Sequence, residues 1–163
     1  MRRTLAATGS AIFFAVAPGV VAGLVPWWLT GWDARPTPWP VRVLGAALIL
    51  TGSAVLVHAF ARFVVEGLGT PAPIAPTANL VVGGLYRYVR NPMYLAVVCT
   101  VVGQALALGR YGLLWYAAAL ALAFVAFVRL YEEPALSRQF GAEYAEYRRA
   151  VPGWWPRLRP WRP

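Results

Sequence analysis

Lysine is absent from this chain, and acidic residues, cysteine and histidine are scarce. Its 15 basic residues are all arginine, and it has 6 acidic residues, 1 histidine and 1 cysteine. The lone Cys99 excludes an internal disulfide framework, and the lone His58 excludes a histidine-rich metal site, so we expect no bound metal. P-loop, GxGxxG and serine–histidine–acid patterns are also missing from the sequence, which leaves those classes of enzyme without support.

Apolar residues dominate what remains. They make up 60% of the chain, the mean hydropathy is +0.55, and 13% of residues are charged, against roughly a quarter in soluble domains. This composition predicts an all-α integral membrane protein with one domain, residues 1–163, of about four transmembrane helices and a C-terminal interfacial amphipathic helix. The predicted spans are residues 5–29, 41–63, 92–108 and 113–131.

The fourth span is expected to end at Pro134, followed by an interfacial helix and tail over residues 134–163. Apolar and aromatic side chains recur there at helical spacing and form one stripe, made of Leu136, Phe140, Tyr144, Tyr147 and Val151. Arginines fall off this stripe, so we expect the helix to lie in the headgroup region of the membrane.

The distribution of arginine predicts the orientation. With both termini in the cytosol, 12 arginines lie on the inner side of the membrane and 3 on the outer side. We therefore predict a protein of the inner (cytoplasmic) membrane whose termini and active site face the cytosol. Because the arginines flank apolar runs, the expected partners are anionic lipid headgroups and not nucleic acid. The sequence does not specify an oligomeric state.

Two polar segments interrupt the apolar pattern. The first, Gly83–Leu95, reads GGLYRYVRNPMYL and covers the end of the loop of residues 64–91 and the start of the third span. The second, Arg129–Pro134, closes the fourth span. Asn91-Pro92 has the form of a helix start, with asparagine as N-cap and proline at the first helical position. The short connection at residues 109–112 makes the third and fourth spans antiparallel neighbours, so both polar segments lie at the same end and can meet.

The side chains of these segments suit one kind of ligand. Arg90 is a fixed cation beside a helix N-terminus, which favours an anion. Glu132 and Glu133 could bind an ammonium group or ribose hydroxyls. Aromatic faces for a ring or an onium centre come from Tyr86, Tyr88 and Tyr94, and the backbone could approach a ligand closely at Gly83 and Gly84. S-adenosylmethionine fits this set, although the same charges could form ion pairs that only fix the helical hairpin.

A second group lies at the end of the second span. His58, Arg62 and Glu66 recur at four-residue spacing and share one face if the helix continues that far. Ionisable groups within a span often mark function. The alternative is that Arg62 and Glu66 lie at the interface while His58 forms a hydrogen bond inside the bundle.

The ordered motifs resemble a known family. The motifs are Asn79-Leu80-Val81, Gly84-Leu85-Tyr86, Arg90-Asn91-Pro92-Met93-Tyr94, Glu132-Glu133, Phe140-Gly141-Ala142-Glu143-Tyr144, Tyr147 and Val151-Pro152. In this order they are similar to those of the isoprenylcysteine carboxyl methyltransferase and phospholipid methyltransferase family, integral membrane enzymes that use S-adenosylmethionine. The similarity covers roughly residues 66–152.

The resemblance implies roles for particular residues. The cofactor-binding set is Ala78, Asn79, Leu80, Val81, Tyr86, Arg90, Asn91, Pro92, Met93, Tyr94, Glu132 and Glu133. Arg129, four residues before Glu133, matches an arginine that the prenylcysteine branch associates with the substrate, so Arg129 and Glu133 are the catalytic candidates. The prenylcysteine branch has Arg-His-Pro where this chain has Arg90-Asn91-Pro92, which leaves the acceptor open.

The predicted activity is methyl transfer from S-adenosylmethionine to a lipophilic acceptor from the bilayer, with an isoprenylcysteine-like carboxylate slightly favoured. A carboxylate needs no general base, only a cation such as Arg129. A phospholipid amine is the alternative acceptor and would need proton removal by Glu66 or His58, which we therefore include among the substrate-binding candidates. A non-enzymatic lipid-binding membrane protein is the other alternative, and a transporter would place its charges nearer the midplane.

Overall fold

A computed structural model describes residues 16–66 and 79–162, apart from the side chains of residues 63 and 64. Residues 5–15 of the predicted first span, the N-terminal arginines and Ala78 in the loop of residues 67–78 lie outside this part. The described residues form helices joined by turns and irregular segments, with no strand among them. The all-α prediction is therefore confirmed for the part of the chain that the structure describes.

Five helices make up the part of the chain that the structure describes. They are α1 (Val16–Thr30), α2 (Trp39–Glu66), α3 (Pro92–Leu108), α4 (Leu113–Phe127) and α5 (Glu133–Ala150). A 3₁₀ turn at Gly84–Arg87 precedes α3, and a π-helical turn at Val128–Glu132 joins α4 to α5. The observed limits of α3 coincide with those predicted, because Asn91-Pro92 starts the helix and Gly109 ends it in a left-handed conformation with φ +63°.

Fewer helices than predicted meet the length and hydropathy required to cross a membrane. Trp39–Arg62 and the continuous stretch Leu113–Ala150 do so, with mean hydropathies of 2.0 and 2.1. Val16–Thr30 and Pro92–Leu108 are apolar but shorter. With 17 residues, α3 is about 25 Å long, less than the hydrocarbon core of about 30 Å. The structure therefore supports two membrane-crossing helices in the described part, not four.

Small residues bring α2 and α3 into close contact. A Cβ added to Gly103 would lie 2.7 Å from the carbonyl oxygen of Gly45, and one added to Gly52 would lie 2.8 Å from that of Ala96. Without the hydrophobic effect between lipid-embedded helices, such close backbone approach is a main source of packing energy. This contact fixes the start of α3 relative to the end of α2.

The first helix is fastened to the third and fourth by hydrogen bonds in its π-helical turn, Val20–Leu24. The buried side chain of Gln104 donates to the carbonyl oxygen of Ala22 (2.6 Å), and the hydroxyl of Tyr116 donates to that of Val21 (2.8 Å). The irregular turn presents these carbonyls to side chains, which satisfies them within an apolar region.

Pro134 does not end the helix as the sequence had suggested. The π-helical turn at Val128–Glu132 shifts the hydrogen-bond register, so Pro134 falls in the first turn of α5, where its missing N–H has no partner to lose. The chain bends further along, at Gly141, whose φ of +52° and ψ of −119° are not helical. A Cβ at this position would meet nothing within 4 Å, so a side chain would have space here. Glycine is needed instead for its positive φ, which other residues rarely adopt.

The apolar stripe of α5 is covered by protein. Tyr144, Tyr147 and Val151 are buried, and Leu80, Val82 and Trp161 pack against them. The stripe thus packs on protein, while the position of the helix in the headgroup region stays a prediction. Amphipathic spacing identified the face that is buried, but the neighbours that bury it come from the distant loop before α3 and from the C-terminal tail.

Candidate active site

The candidate site is built around the N-terminal end of α3. Asn91 adopts φ −118° and ψ +51° at the N-cap position, and its side chain forms no capping bond with the helix. Instead its Nδ2 donates to the carbonyl oxygen of Gly153 (3.1 Å), while the backbone N–H of Arg90 donates to that of Pro152 (2.9 Å). The C-terminal tail is thereby held directly against the start of α3, and Asn91 joins two parts of the site instead of capping a helix.

Arg90 reaches across to the fifth helix. Its Nη1 donates to Glu133 Oε1 (2.8 Å) and to the hydroxyl of Tyr144 (3.1 Å), and Arg148 Nη2 lies 3.0 Å from Glu133 Oε2. The side chains of Arg90 and Glu133 are 14% and 11% exposed, so each charge depends on its partner here. The two polar segments of the sequence therefore do meet, at one end of the helical hairpin.

Glu132 has a different partner from its neighbour. The hydroxyl of Tyr94 donates to Glu132 Oε2 (2.8 Å), and the Tyr94 ring lies 4.7 Å from Phe124 and 6.5 Å from Trp154, centroid to centroid. One carboxylate is thus paired with arginines and the adjacent one with a phenol. The phenol engages one oxygen of Glu132 and brings no positive charge to it.

Tyr86 and its apolar neighbours lie beneath this cluster. Val81, Tyr86 and Ala59 are buried together, with Met93 packed against them. The hydroxyl of Tyr147 donates to the backbone carbonyl of Tyr86 (2.7 Å), which ties the 3₁₀ turn to α5. Burial raises the pKa of the Tyr86 hydroxyl well above its ordinary value, so Tyr86 stays neutral and is not a base near neutral pH.

The group at the end of α2 is separate. The helix does continue to Glu66, and Arg62 Nη1 pairs with Glu66 Oε1 (2.7 Å), while the N–H of Gly83 donates to Glu66 Oε2 (2.9 Å). Asn79 Nδ2 donates to the backbone carbonyl of Glu66 (3.3 Å). Both carboxylate oxygens of Glu66 are therefore engaged, Oε1 by Arg62 within α2 and Oε2 by the loop.

The glycine pair serves these helix contacts. A Cβ on Gly83 would collide with the carboxylate of Glu66, and one on Gly84, whose φ is +56°, would lie 2.7 Å from His58 Nε2. Gly83 and Gly84 thus let the loop approach α2 closely. The expectation that they make room for a ligand has no support in these contacts. His58 is exposed beside this loop.

Arg129 stands apart from the carboxylates. It lies in the π-helical turn, is exposed, and forms no ion pair with any residue that the structure describes. Of the other predicted cofactor residues, Asn79 is exposed, Leu80 packs on α5 and Pro92 is buried at the start of α3. Ala78 lies outside the described residues.

An apolar groove of about 510 Å³ runs between α2 and α3. Thr51, Gly52 and Val55 form one wall, and its other lining residues are Leu85, Tyr88, Val89, Pro92, Leu95, Ala96, Cys99 and Pro156. Val89 and Pro92 flank Arg90 and Asn91 in the chain, so the groove begins next to the candidate site. Its lining suits a hydrocarbon chain and offers nothing to a charged group.

Several residues of the site were missed by sequence reasoning. Tyr144 and Arg148 were assigned to the stripe and to the polar surface of α5, and Gly153 and Trp154 to a headgroup-binding tail. Tyr144 and Arg148 are four residues apart, which places them on one face of a helix. Nothing in the sequence shows that this face turns back onto Arg90, because that depends on the bends at Val128–Glu132 and Gly141.

The chain was also compared with models of known protein families. A family model described as phospholipid methyltransferase matches residues 41–143, more than half of the chain and including both Arg90 and Glu133. The chain belongs to the phospholipid methyltransferase family. Membership confirms the resemblance noted in the sequence and implies methyltransferase activity at a membrane. Searches among curated proteins and among solved structures find no match to the chain.

Proposed function

We propose that this protein is an integral membrane methyltransferase that transfers a methyl group from S-adenosylmethionine to a lipophilic acceptor. The observation that carries the proposal is the contact of Arg90, just before α3, with Glu133 and Tyr144 of α5, beside the hydrogen-bonded pair of Glu132 and Tyr94. Buried charged side chains that cluster in this way are typical of functional sites and gain nothing from contact with lipid. All of these residues except Tyr144 lie within the segment that matches the phospholipid methyltransferase model.

The residues present fit S-adenosylmethionine. Arg90 Nε is buried and has no hydrogen-bond partner among the described residues, so the guanidinium keeps a donor for a carboxylate. Glu132 keeps a carboxylate for an ammonium group or for ribose hydroxyls. Arg90 and Arg148 together balance Glu132 and Glu133, so the cluster is close to neutral and suits a ligand that carries both an amino and a carboxylate group.

S-adenosylmethionine supplies, when bound, an electrophilic methyl group on a positively charged sulfur. The chain contributes alignment and a site with little water. Arg90 would hold a carboxylate, Glu132 and Tyr94 would orient a polar or cationic group, and Glu133 would fix the position of Arg90 through their hydrogen bond. The predicted catalytic role of Glu133 thus becomes a positioning role in this proposal.

The apolar groove supports a lipophilic acceptor. A hydrocarbon chain between α2 and α3 would place its head near Val89 and Pro92, the residues that flank the cluster. Arg129 is exposed and unpaired among the described residues, so it is available to a carboxylate acceptor. For an amine acceptor, Glu66 is a poor base because Arg62 and Gly83 occupy both its oxygens. The exposed Arg129 therefore favours carboxyl methylation, with amine methylation of a phospholipid, for which His58 is the remaining base candidate, as the second candidate.

The proposed topology has four spans, with α3 crossing a locally thinned bilayer. The positive-inside distribution of arginine supports a proposed cytosolic location for both termini and the cluster. A cytosolic site gives a hydrophilic donor direct access, while the acceptor reaches the groove from the membrane.

The test is transfer of a radiolabelled methyl group from S-adenosylmethionine into total lipid and into small isoprenoid carboxylates by the purified protein. We expect label in a lipid-soluble product. If the new bond is a methyl ester, base hydrolysis should release the label from that product as methanol. Arg129→Gln should raise KM for a carboxylate acceptor and leave an amine acceptor unaffected. Absence of label in every lipid fraction, under conditions in which the protein is folded, would contradict the proposed activity.

A further inference from the structure

The C-terminal strap, residues 151–162, leaves α5 and crosses the loop that precedes α3. Backbone hydrogen bonds hold it there at three places: Arg90 N–H to Pro152 O (2.9 Å), Arg157 N–H to Tyr88 O (3.0 Å) and Trp161 N–H to Arg87 O (2.9 Å). Arg87 Nε also donates to the carbonyl of Trp161 (2.7 Å). These bonds fix which side chains of the strap point inward and which point away from the protein.

The inward side chains are buried or half-buried, whereas two large apolar side chains point outward. Val151 is fully buried and Trp161 packs on the apolar stripe of α5. By contrast, Trp155 is 81% exposed and Leu158 is 99% exposed. Pro156, between them, lines the groove between α2 and α3. The outward side chains therefore lie at the end of helices that enter the membrane.

Basic residues accompany these outward side chains. Residues 151–163 include three arginines and no acidic residue. Arg157 Nη1 donates to the carbonyl of Ala150 (2.7 Å), while Arg159 and Arg162 are exposed and form no hydrogen bond or ion pair with any described residue. Tryptophan and leucine beside unpaired arginine match the boundary between hydrocarbon and anionic headgroups.

We propose that the strap docks on the anionic phospholipid surface of the membrane that surrounds the helices. Trp155 and Leu158 enter the interface, and Arg159 and Arg162 bind lipid phosphates. The strap lies beyond residue 143, the end of the family match. The proposal rests on a membrane location and not on methyl transfer, so a failure of the proposed activity would leave it standing.

The insertion of Leu158 can be measured directly. Cys99→Ser removes the only thiol and keeps a hydroxyl for the bond to the Leu48 carbonyl. In that background, Leu158→Cys carries a nitrobenzoxadiazole label in proteoliposomes of phosphatidylcholine with and without phosphatidylglycerol. We expect the emission of this label to be shifted to the blue relative to its emission in water, and to be quenched by nitroxide-labelled lipid. The control position is Glu146→Cys, exposed on α5, where the label should remain in water. Equal emission and equal quenching at the two positions would overturn the proposal.

The contribution of charge needs a second comparison. Arg159→Gln/Arg162→Gln should reduce the preference of the strap for nitroxide-labelled phosphatidylglycerol over labelled phosphatidylcholine by about fivefold for each arginine. Arg35→Gln/Arg42→Gln changes net charge equally at exposed positions before and at the start of α2 and should leave the preference unchanged. Equal loss in both variants, or no preference in the parent protein, would overturn the assignment of these arginines to anionic lipid.

Discussion

Replacing Glu133 with glutamine removes one charge from the cluster that joins the two ends of the helical hairpin. Glu133 is 8% exposed and receives Arg90 Nη1 at 2.8 Å and Arg148 Nη2 at 3.0 Å. The glutamine oxygen can still accept from Arg90, but its amide N–H₂ would face the guanidinium of Arg148. The buried guanidinium of Arg90 then has no negative partner that the structure places within ion-pair distance.

The expected loss follows from this geometry. Breaking a buried ion pair by removing one partner costs about 3–5 kcal/mol. Arg148 is half exposed and can turn to water, and Arg90 keeps one acceptor, so we expect the lower end, about 3 kcal/mol. For a chain of this size that corresponds to a fall in the midpoint of thermal unfolding of about 6–12 °C.

Thermal unfolding in detergent, followed by a fluorogenic thiol reagent that reacts with Cys99 on opening, measures this loss. Glu143→Gln is the matched control, because Glu143 is exposed and forms no ion pair with a described residue, and it should shift stability by less than about 0.5 kcal/mol. If the two variants unfolded at the same temperature, the Arg90–Glu133 pair would not join the hairpin as described.

Three further changes test the packing around the site. Gly84→Ala adds a Cβ at φ +56° within 2.7 Å of His58 Nε2 and should cost about 1–2 kcal/mol or more in thermal unfolding, whereas Gly112→Ala, where nothing lies within 4 Å, should not destabilise. Gly103→Leu should separate α2 from α3 and abolish folding in detergent. Gly23→Ala should be tolerated, because a Cβ on Gly23 would meet nothing within 4 Å. Equal yields of folded protein from the two variants would contradict the close helix contact. Tyr147→Phe removes the 2.7 Å hydrogen bond to the Tyr86 carbonyl and should cost about 1–3 kcal/mol, against no measurable change for Tyr111→Phe, whose ring is half exposed.

Local signals in the sequence were sufficient for some features of the fold. Asn91-Pro92 and Gly109 marked the ends of α3, and four-residue spacing predicted that Arg62 and Glu66 share one face of α2, where they form an ion pair. The short connection after Gly109 required antiparallel neighbours, which brought Arg90 and Glu133 to the same end. These features depend on contacts close in sequence or on one tight turn.

Other features depend on contacts that local patterns do not specify. Pro134 failed as a stop signal because a π-helical turn moved it into the first turn of α5. The apolar stripe of α5 was interpreted as the side of an interfacial helix, but Leu80 and Val82 pack against it. Asn91 had the residue type of an N-cap, but Gly153 lies where it can accept from the side chain instead. In each case a tertiary contact overrode a sound local preference.

The central claim is that the cluster around Arg90 binds S-adenosylmethionine, and isothermal calorimetry on the purified protein in detergent tests it most directly. The account predicts one site per chain and an affinity that falls about tenfold or more in Arg90→Gln, because a charge-assisted hydrogen bond is lost. Arg138→Gln, which removes an exposed arginine on α5, should bind as the parent does. Unchanged affinity in a folded Arg90→Gln variant, or no binding by the parent protein, would contradict the claim.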